Sequence, residues 1–201
     1  FQIQPDGKIL VAGQQITGFN GTTSNGIFRL NTDGTLDNTF VSGFATAPSL
    51  EQIILLPDGK IVIGGFFTSY GGNPEGGIIR VNANGSFDNT FNSGVSGTSN
   101  GLGGMALQPD GKIVIGSDES LVYNGVARNV VARLNANGTL DTSFPSPNLG
   151  SGSFVDSVAV QADGKILISG LINISGTRYS FARLNTDATV DTSVLNASDS
   201  Y

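Results

Sequence analysis

Apolar residues in this chain come in short runs that begin after a lysine and end at small residues. Lys8-Ile9-Leu10-Val11, Lys60-Ile61-Val62-Ile63, Lys112-Ile113-Val114-Ile115 and Lys165-Ile166-Leu167-Ile168 each carry three apolar residues without alternation. A strand with one wet face alternates apolar and polar side chains, so an unbroken run predicts a strand covered on both faces. Ala12-Gly13, Gly64-Gly65, Gly116-Ser117 and Ser169-Gly170 follow the runs, where a second backbone can approach.

The polar positions are as regular as the apolar ones. QPDGKIL at 4–10 returns as LPDGKIV at 56–62, QPDGKIV at 108–114 and QADGKIL at 161–167. A second motif keeps step: FRLNTDGTLDNTF (28–40), IRVNANGSFDNTF (79–91), ARLNANGTLDTSF (132–144) and ARLNTDATVDTSV (182–194). The Asp-Gly-Lys anchors start at Asp6, Asp58, Asp110 and Asp163, a period of 52, 52 and 53 residues. The chain is therefore one repeat domain, 1–201, with copies at approximately 1–43, 44–94, 95–146 and 147–201.

Pro-Asp-Gly places Pro where a type I turn wants its φ and Gly where the chain goes left-handed, and apolar runs flank it. Asn31-Thr32-Asp33-Gly34 and its relatives read the same way, which predicts two hairpins and four short strands per copy. In the second copy these strands are expected near 50–56, 60–68, 77–82 and 86–91. Four-stranded units of this size, stacked face to face, are the blades of a β-propeller. An immunoglobulin-like sandwich needs roughly twice as many residues per unit. The expected fold is an all-β propeller of four blades, either a complete four-blade ring or part of a larger one, with Val62 and Val114 dry on both sides.

These motifs resemble the delta-60 repeat family of bacterial secreted and surface proteins. The resemblance implies a propeller in an extracellular or cell-surface setting and carries no catalytic motif. The fourth copy departs from it: Ala162 stands for Pro, Ala188 for the turn Gly and Val194 for the terminal Phe. An Ala held at positive φ costs about 1 kcal/mol, so Ala188→Gly is expected to stabilise the chain.

Composition removes many functions. Cys and His are both absent, which excludes thiolate chemistry, disulfides, imidazole bases and imidazole metal ligands. A net charge of −6 and no basic run argue against nucleic acid and anionic membrane surfaces. No stretch of about 18 apolar residues is present to insert into a bilayer. The chain opens on Phe1 inside an expected strand, as a piece of a longer polypeptide would.

Eight of the ten cations belong to the repeat: Lys8, Lys60, Lys112, Lys165, Arg29, Arg80, Arg133 and Arg183. Asp37, Asp88, Asp141 and Asp191 each follow the repeated Arg by eight residues, across a hairpin. An Arg–Asp contact tying strand three to strand four, or to the next blade, is the structural reading. The unrepeated acids Glu51, Glu75, Asp118, Glu119, Asp156 and Asp199 are scattered over the copies and do not form the paired carboxylates of a glycosidase. No enzyme activity, cofactor or metal is expected. Asn31 to Asp37 looks like half of a calcium loop, but it lacks the late bidentate Glu, and turn preference accounts for it. Asn20, Asn84 and Asn137 are formal glycosylation acceptors, and the last two are turn residues of the repeat.

Differences between copies concentrate in the connection between strands two and three. Phe19, Tyr70 and Tyr123, the last followed by Asn124, fall at matching places before a Gly-containing turn. They are either packing residues at the outer edge of each blade or rings that stack on sugars. The leading functional expectation is a non-catalytic, adhesin-like scaffold and interaction domain. Its partners would be other domains or copies of the same surface protein. The alternative is a propeller lectin for surface glycans.

Overall fold

Each repeat is turned first by its Asp-Gly-Lys hairpin. Gly7 adopts φ 82° and donates to the Gln4 carbonyl at 2.9 Å, while Gln4 N donates to the Lys8 carbonyl at 2.8 Å. Asp6 Oδ1 accepts from Lys8 N at 3.1 Å, which locks the turn from its side chain. The same bonds recur at Asp58, Asp110 and Asp163.

The computed structural model describes residues 1–92, 94 and 102–195. The first repeat contains β1 (Gln2–Ile3), β2 (Ile9–Ala12), β3 (Gly18–Phe19), β4 (Thr22–Thr23) and β5 (Ile27–Leu30). The second contains β6 (Ser49–Leu55), β7 (Ile61–Phe66) and β8 (Ile78–Val81). The third holds β9 (Leu102–Leu107), β10 (Ile113–Ser117), β11 (Leu121–Tyr123), β12 (Val126–Arg128) and β13 (Val131–Leu134). The fourth holds β14 (Phe154–Val160), β15 (Ile166–Ile174) and β16 (Thr177–Leu184). The main sheets are antiparallel meanders: β1-β2-β5, β6-β7-β8, β9-β10-β13 and β14-β15-β16.

Two expectations need correction. The fourth strand of each blade is shorter than the 86–91 span foreseen in the second copy. It survives as one bridge per repeat, Leu30↔Leu36, Val81↔Phe87, Leu134↔Leu140 and Leu184↔Val190. The next residue, the repeated Asp, still donates to the repeated Arg carbonyl, as Asp37 N does to Arg29 at 2.9 Å. Its side chain then folds back onto the residue two further on and bends the backbone out of the ladder. The variable connection is also not a plain loop. Asn20-Gly21 and Asn124-Gly125 both have positive φ and close two-residue hairpins, β3-β4 and β11-β12. In the fourth repeat the same turn, Ser175-Gly176, is absorbed into the long β15-β16 hairpin.

The chain divides into two compact units, Phe1–Phe91 and Asn92–Tyr201, with two repeats in each. In the first unit, Leu10 and Ile27 of blade one share a core with Leu50, Ile53, Ile61, Ile63 and Ile79 of blade two. In the second, Val114 and Val131 of blade three share a core with Val155, Val158, Ile166 and Ile168 of blade four. Val62 and Val114 are both fully buried, as the unbroken apolar runs require. Gly116 explains its own smallness: a Cβ there would run into the Val155 side chain of the adjoining sheet.

Candidate functional site

The repeated cations and acid converge in every blade. Asp37 Oδ2 accepts from Lys8 Nζ and from Arg29 Nε, both at 2.8 Å. Asp88 does so with Lys60 (2.8 Å) and Arg80 (2.7 Å), and Asp141 with Lys112 (2.9 Å) and Arg133 (2.7 Å). Asp191 accepts from Lys165 Nζ at 2.7 Å and an Arg183 terminal nitrogen at 2.8 Å. The other carboxylate oxygen is filled as well: Asp37 Oδ1 accepts from Thr39 N at 2.9 Å and Thr39 Oγ1 at 2.6 Å. Thr90, Ser143 and Ser193 serve the other three acids.

Strand order explains the convergence. Lys8 leads β2, Arg29 lies on the neighbouring β5, and Asp37 follows the bridge to the fourth segment, so one acid closes three adjacent strands. Arg29 also reaches the next blade of its unit, donating to the Ala83 carbonyl at 2.6 Å. Its guanidinium lies 5.2 Å from the Phe40 ring centre, with matching pairs at Arg80–Phe91 and Arg133–Phe144. The Arg–Asp pairing was legible from the eight-residue spacing. The lysine's share was not foreseen, although its strict phase with the acid was the available signal.

Burial of Asp37, Asp88 and Asp141 pushes their carboxyls upward. Hydrogen bonds from Lys, Thr or Ser, and Arg outweigh it and hold all three far below the ordinary carboxylate range. Asp191 is held equally low, mainly by Lys165 and then by Ser193. An acid so held, with donors on both oxygens, has no lone pair left for general-base work or for a cation. Asp33 of the calcium-like stretch is exposed, and its Oδ1 accepts from Thr35 N and Thr35 Oγ1. Among the described residues no three acidic side chains gather at a place that could hold a metal ion. Asp199 lies outside the described residues.

The aromatic positions separate. Tyr70 and Tyr123 are 1% and 0% exposed, so neither ring can stack on a ligand, a correction to the glycan-binding assignment. In blade two Gly43, from the segment entering the blade, lies against the Tyr70 ring and accepts from Gly71 N; in blade three Asn124 N donates to the Gly94 carbonyl. In the second blade this brings Phe44 edge-on to Tyr70 at 4.7 Å, and the Tyr70 hydroxyl donates to the Gly85 carbonyl at 2.6 Å. Asn124 is exposed in a tight turn beside the buried Tyr123. Phe19 is half-buried against Phe28 and edges a 320 Å³ cleft lined by Thr17, Asn20, Thr22, Thr23 and Asn25. The more open ring is one that sequence reasoning missed. Phe66, 45% exposed, borders a 340 Å³ cleft with Gln15, Thr46, Ser49, Thr68 and Ser69.

Antiparallel four-segment sheets, stacked in pairs and repeated four times, make this a β-propeller repeat protein. The chain belongs to the family described as "Domain of unknown function (DUF5122) beta-propeller", which matches residues 4–40, 56–91, 108–144 and 161–193. No curated protein matches the chain.

Proposed function

We propose that this chain is a non-catalytic scaffold and interaction module of a bacterial secreted or cell-surface protein, adhesin-like in type. Its partners are other domains or copies of that protein. One observation carries the reading: the acid written four times spends both oxygens on cross-strand and turn contacts in all four blades. The repeat thus encodes rigidity, and its charged groups are used up in that role. The resemblance to delta-60 repeats supports the extracellular setting. Surface labelling and protease shaving of intact host cells test the location, and a protein protected until lysis defeats it.

A glycan-binding reading is supported by one specific feature, the Phe66 cleft, where an open ring stands among hydroxyl and amide side chains, Gln15, Thr68 and Ser69 from the variable connections and Thr46 and Ser49 from the segment entering blade two. A glycan array decides between the two. The scaffold reading expects no reproducible binding; binding that Phe66→Ala abolishes establishes the lectin instead.

A further inference from the structure

Asparagine followed by glycine occurs six times, at Asn20, Asn25, Asn84, Asn100, Asn124 and Asn137. Asn100 lies outside the described residues. Such a pair carries its own reaction: with no Cβ on the second residue, its backbone nitrogen can reach the asparagine side-chain carbon wherever the chain is free to bring the two together. The fold sorts the other five pairs into two groups.

Three pairs are held at both reacting groups. Asn84 Oδ1 accepts from Ser86 N at 3.0 Å and Ser86 Oγ at 2.8 Å, while Gly85 N donates to the Asn82 carbonyl at 2.9 Å. Asn137 Oδ1 accepts from Thr139 N at 3.2 Å and Thr139 Oγ1 at 2.7 Å, while Gly138 N donates to the Asn135 carbonyl at 2.8 Å. Asn25 Nδ2 donates to the Phe44 and Ala45 carbonyls, both at 3.0 Å, and Gly26 N to the Ile16 carbonyl at 2.8 Å. The glycine of each of these pairs is buried.

Asn20-Gly21 and Asn124-Gly125, at the tips of the outer hairpins, are the opposite case, with both residues of each pair exposed. Among the described residues neither side-chain amide makes a hydrogen bond and neither glycine nitrogen donates one. Blade three shows that this freedom belongs to the turn itself, because the segment entering the blade is in place there. Asn124 N donates to the Gly94 carbonyl at 2.8 Å, yet its amide and the Gly125 nitrogen still have no partner. Each tip closes a separate two-stranded sheet of two or three residue pairs, so the local opening that lets the groups meet costs little.

We propose that Asn124 and its counterpart Asn20 are sites of spontaneous deamidation, and that the turns of the repeat are protected from it. Gly125 N forms a bond to Asn124 Cγ, the side-chain amide leaves as ammonia with the proton of that nitrogen, and a succinimide ring closes. Solvent water then opens either ring carbonyl, giving aspartate or isoaspartate; one water enters, one ammonia departs, and nothing is oxidised or reduced. The aspartate product keeps the turn, since Asp tolerates the left-handed conformation as Asn does. Isoaspartate lengthens the backbone and cannot close a two-residue turn, so the β11-β12 register at Tyr123 and Val126 is lost with it. The inference goes beyond the scaffold reading and does not depend on it: the connections that differ between copies gain negative charge with age, while the turns that close the blades do not.

Incubation of the 201-residue chain in mildly alkaline buffer tests it, with peptide mapping by tandem mass spectrometry and isoaspartyl methyltransferase labelling as readouts. Asn124 and Asn20 should convert faster than Asn25, Asn84 and Asn137 by on the order of tenfold or more, because hydrogen bonds on both reacting groups must break first in the held pairs. The same chain unfolded in guanidinium chloride should lose this ranking. Thr139→Ala removes the hydroxyl bond to Asn137 and should speed that site about fivefold while Asn124 is unchanged, with circular dichroism checking the fold. Equal rates at open and held pairs in the folded chain, or an Asn124 that stays intact as long as Asn137 does, overturn the proposal. A ranking that persists in the unfolded chain overturns it as well, since sequence neighbours and not the fold would then set the rates.

Discussion

Blades three and four belong to one unit and started from one pattern, yet they have aged differently. In blade three the Arg133 guanidinium lies 4.4 Å from the Phe144 ring centre, and the turn ends in Gly138 at φ 87°. Blade four has Val194 in place of the ring and Ala188, at φ 72°, in place of the glycine. Asp191 nevertheless keeps Lys165, Arg183 and both Ser193 donors. The difference separates what the blade requires from what refines it. The three-strand clasp at the acid persists, while the stacking ring and the relaxed turn are dispensable refinements.

Breaking the clasp should therefore produce the largest effect. Asp141→Asn leaves Arg133 and Lys112 facing a neutral group in a mostly buried setting, and unpairing buried charges of this kind costs about 3 kcal/mol. Urea unfolding at neutral pH measures it. Asp191→Asn should cost less, because Arg183 is more exposed than Arg133 and water can replace its partner. An equal loss at the two sites would mean that erosion of blade four has not loosened its clasp.

Acid should act on all four clasps together. The folded carboxyls of Asp37, Asp88, Asp141 and Asp191 lie below their unfolded values, so their stabilisation is complete above the unfolded carboxylate pKa of about 3.9. It is lost progressively as pH falls below that value, because the unfolded chain then takes up protons that the folded chain refuses. Urea midpoints should be flat from pH 7 to 5 and drop between pH 4 and 2. In Asp141→Asn the drop should be shallower, since one of the four titrating groups is gone.

The sequence announced the blades because their determinants are local and periodic: Pro-Asp-Gly turns, unbroken apolar runs, and an acid eight residues after an arginine. It was less informative wherever the outcome depended on a second segment. The rings of Tyr70 and Tyr123 read as rim aromatics, yet both are buried, and in blade two it is Gly43, from a separate segment, that lies against the Tyr70 ring. The outer hairpins were misjudged for a different reason. Asn20-Gly21 and Asn124-Gly125 are strong two-residue turn signals, but strands of two or three residues carry too little alternation to be seen around them. Phe66 followed an apolar run and read as its continuation, although the strand ends there and the ring turns outward.

Restoring the ring of blade four is a gain-side test of the same comparison. Val194→Phe places an aromatic where Phe144 stands in blade three, within reach of Arg183. Val194 is only half-buried, so the larger side chain has room on its solvent side. A cation–π contact at a partly exposed site contributes about 0.5–1 kcal/mol. The thermal midpoint should rise by a few degrees, and the gain should vanish in an Arg183→Lys background if the flat guanidinium is what the ring recognises.

The turn substitution carries the smallest effect and the closest balance. Ala188 does occupy the left-handed conformation that the repeat assigns to glycine, and relieving it returns about 1 kcal/mol. The methyl is not idle, however: Ala188 is buried in the core of the second unit, and removing a buried methyl costs about 0.8 kcal/mol. Ala188→Gly should therefore change stability by less than about 0.5 kcal/mol, not by the clear gain that turn preference alone implies. Gly138→Ala in blade three imposes the strain without that history of repacking and should cost about 1 kcal/mol. Paired denaturation curves read both values. A clear gain from Ala188→Gly would show that the methyl contributes nothing to the core, and that blade four tolerates its alanine as an uncompensated defect.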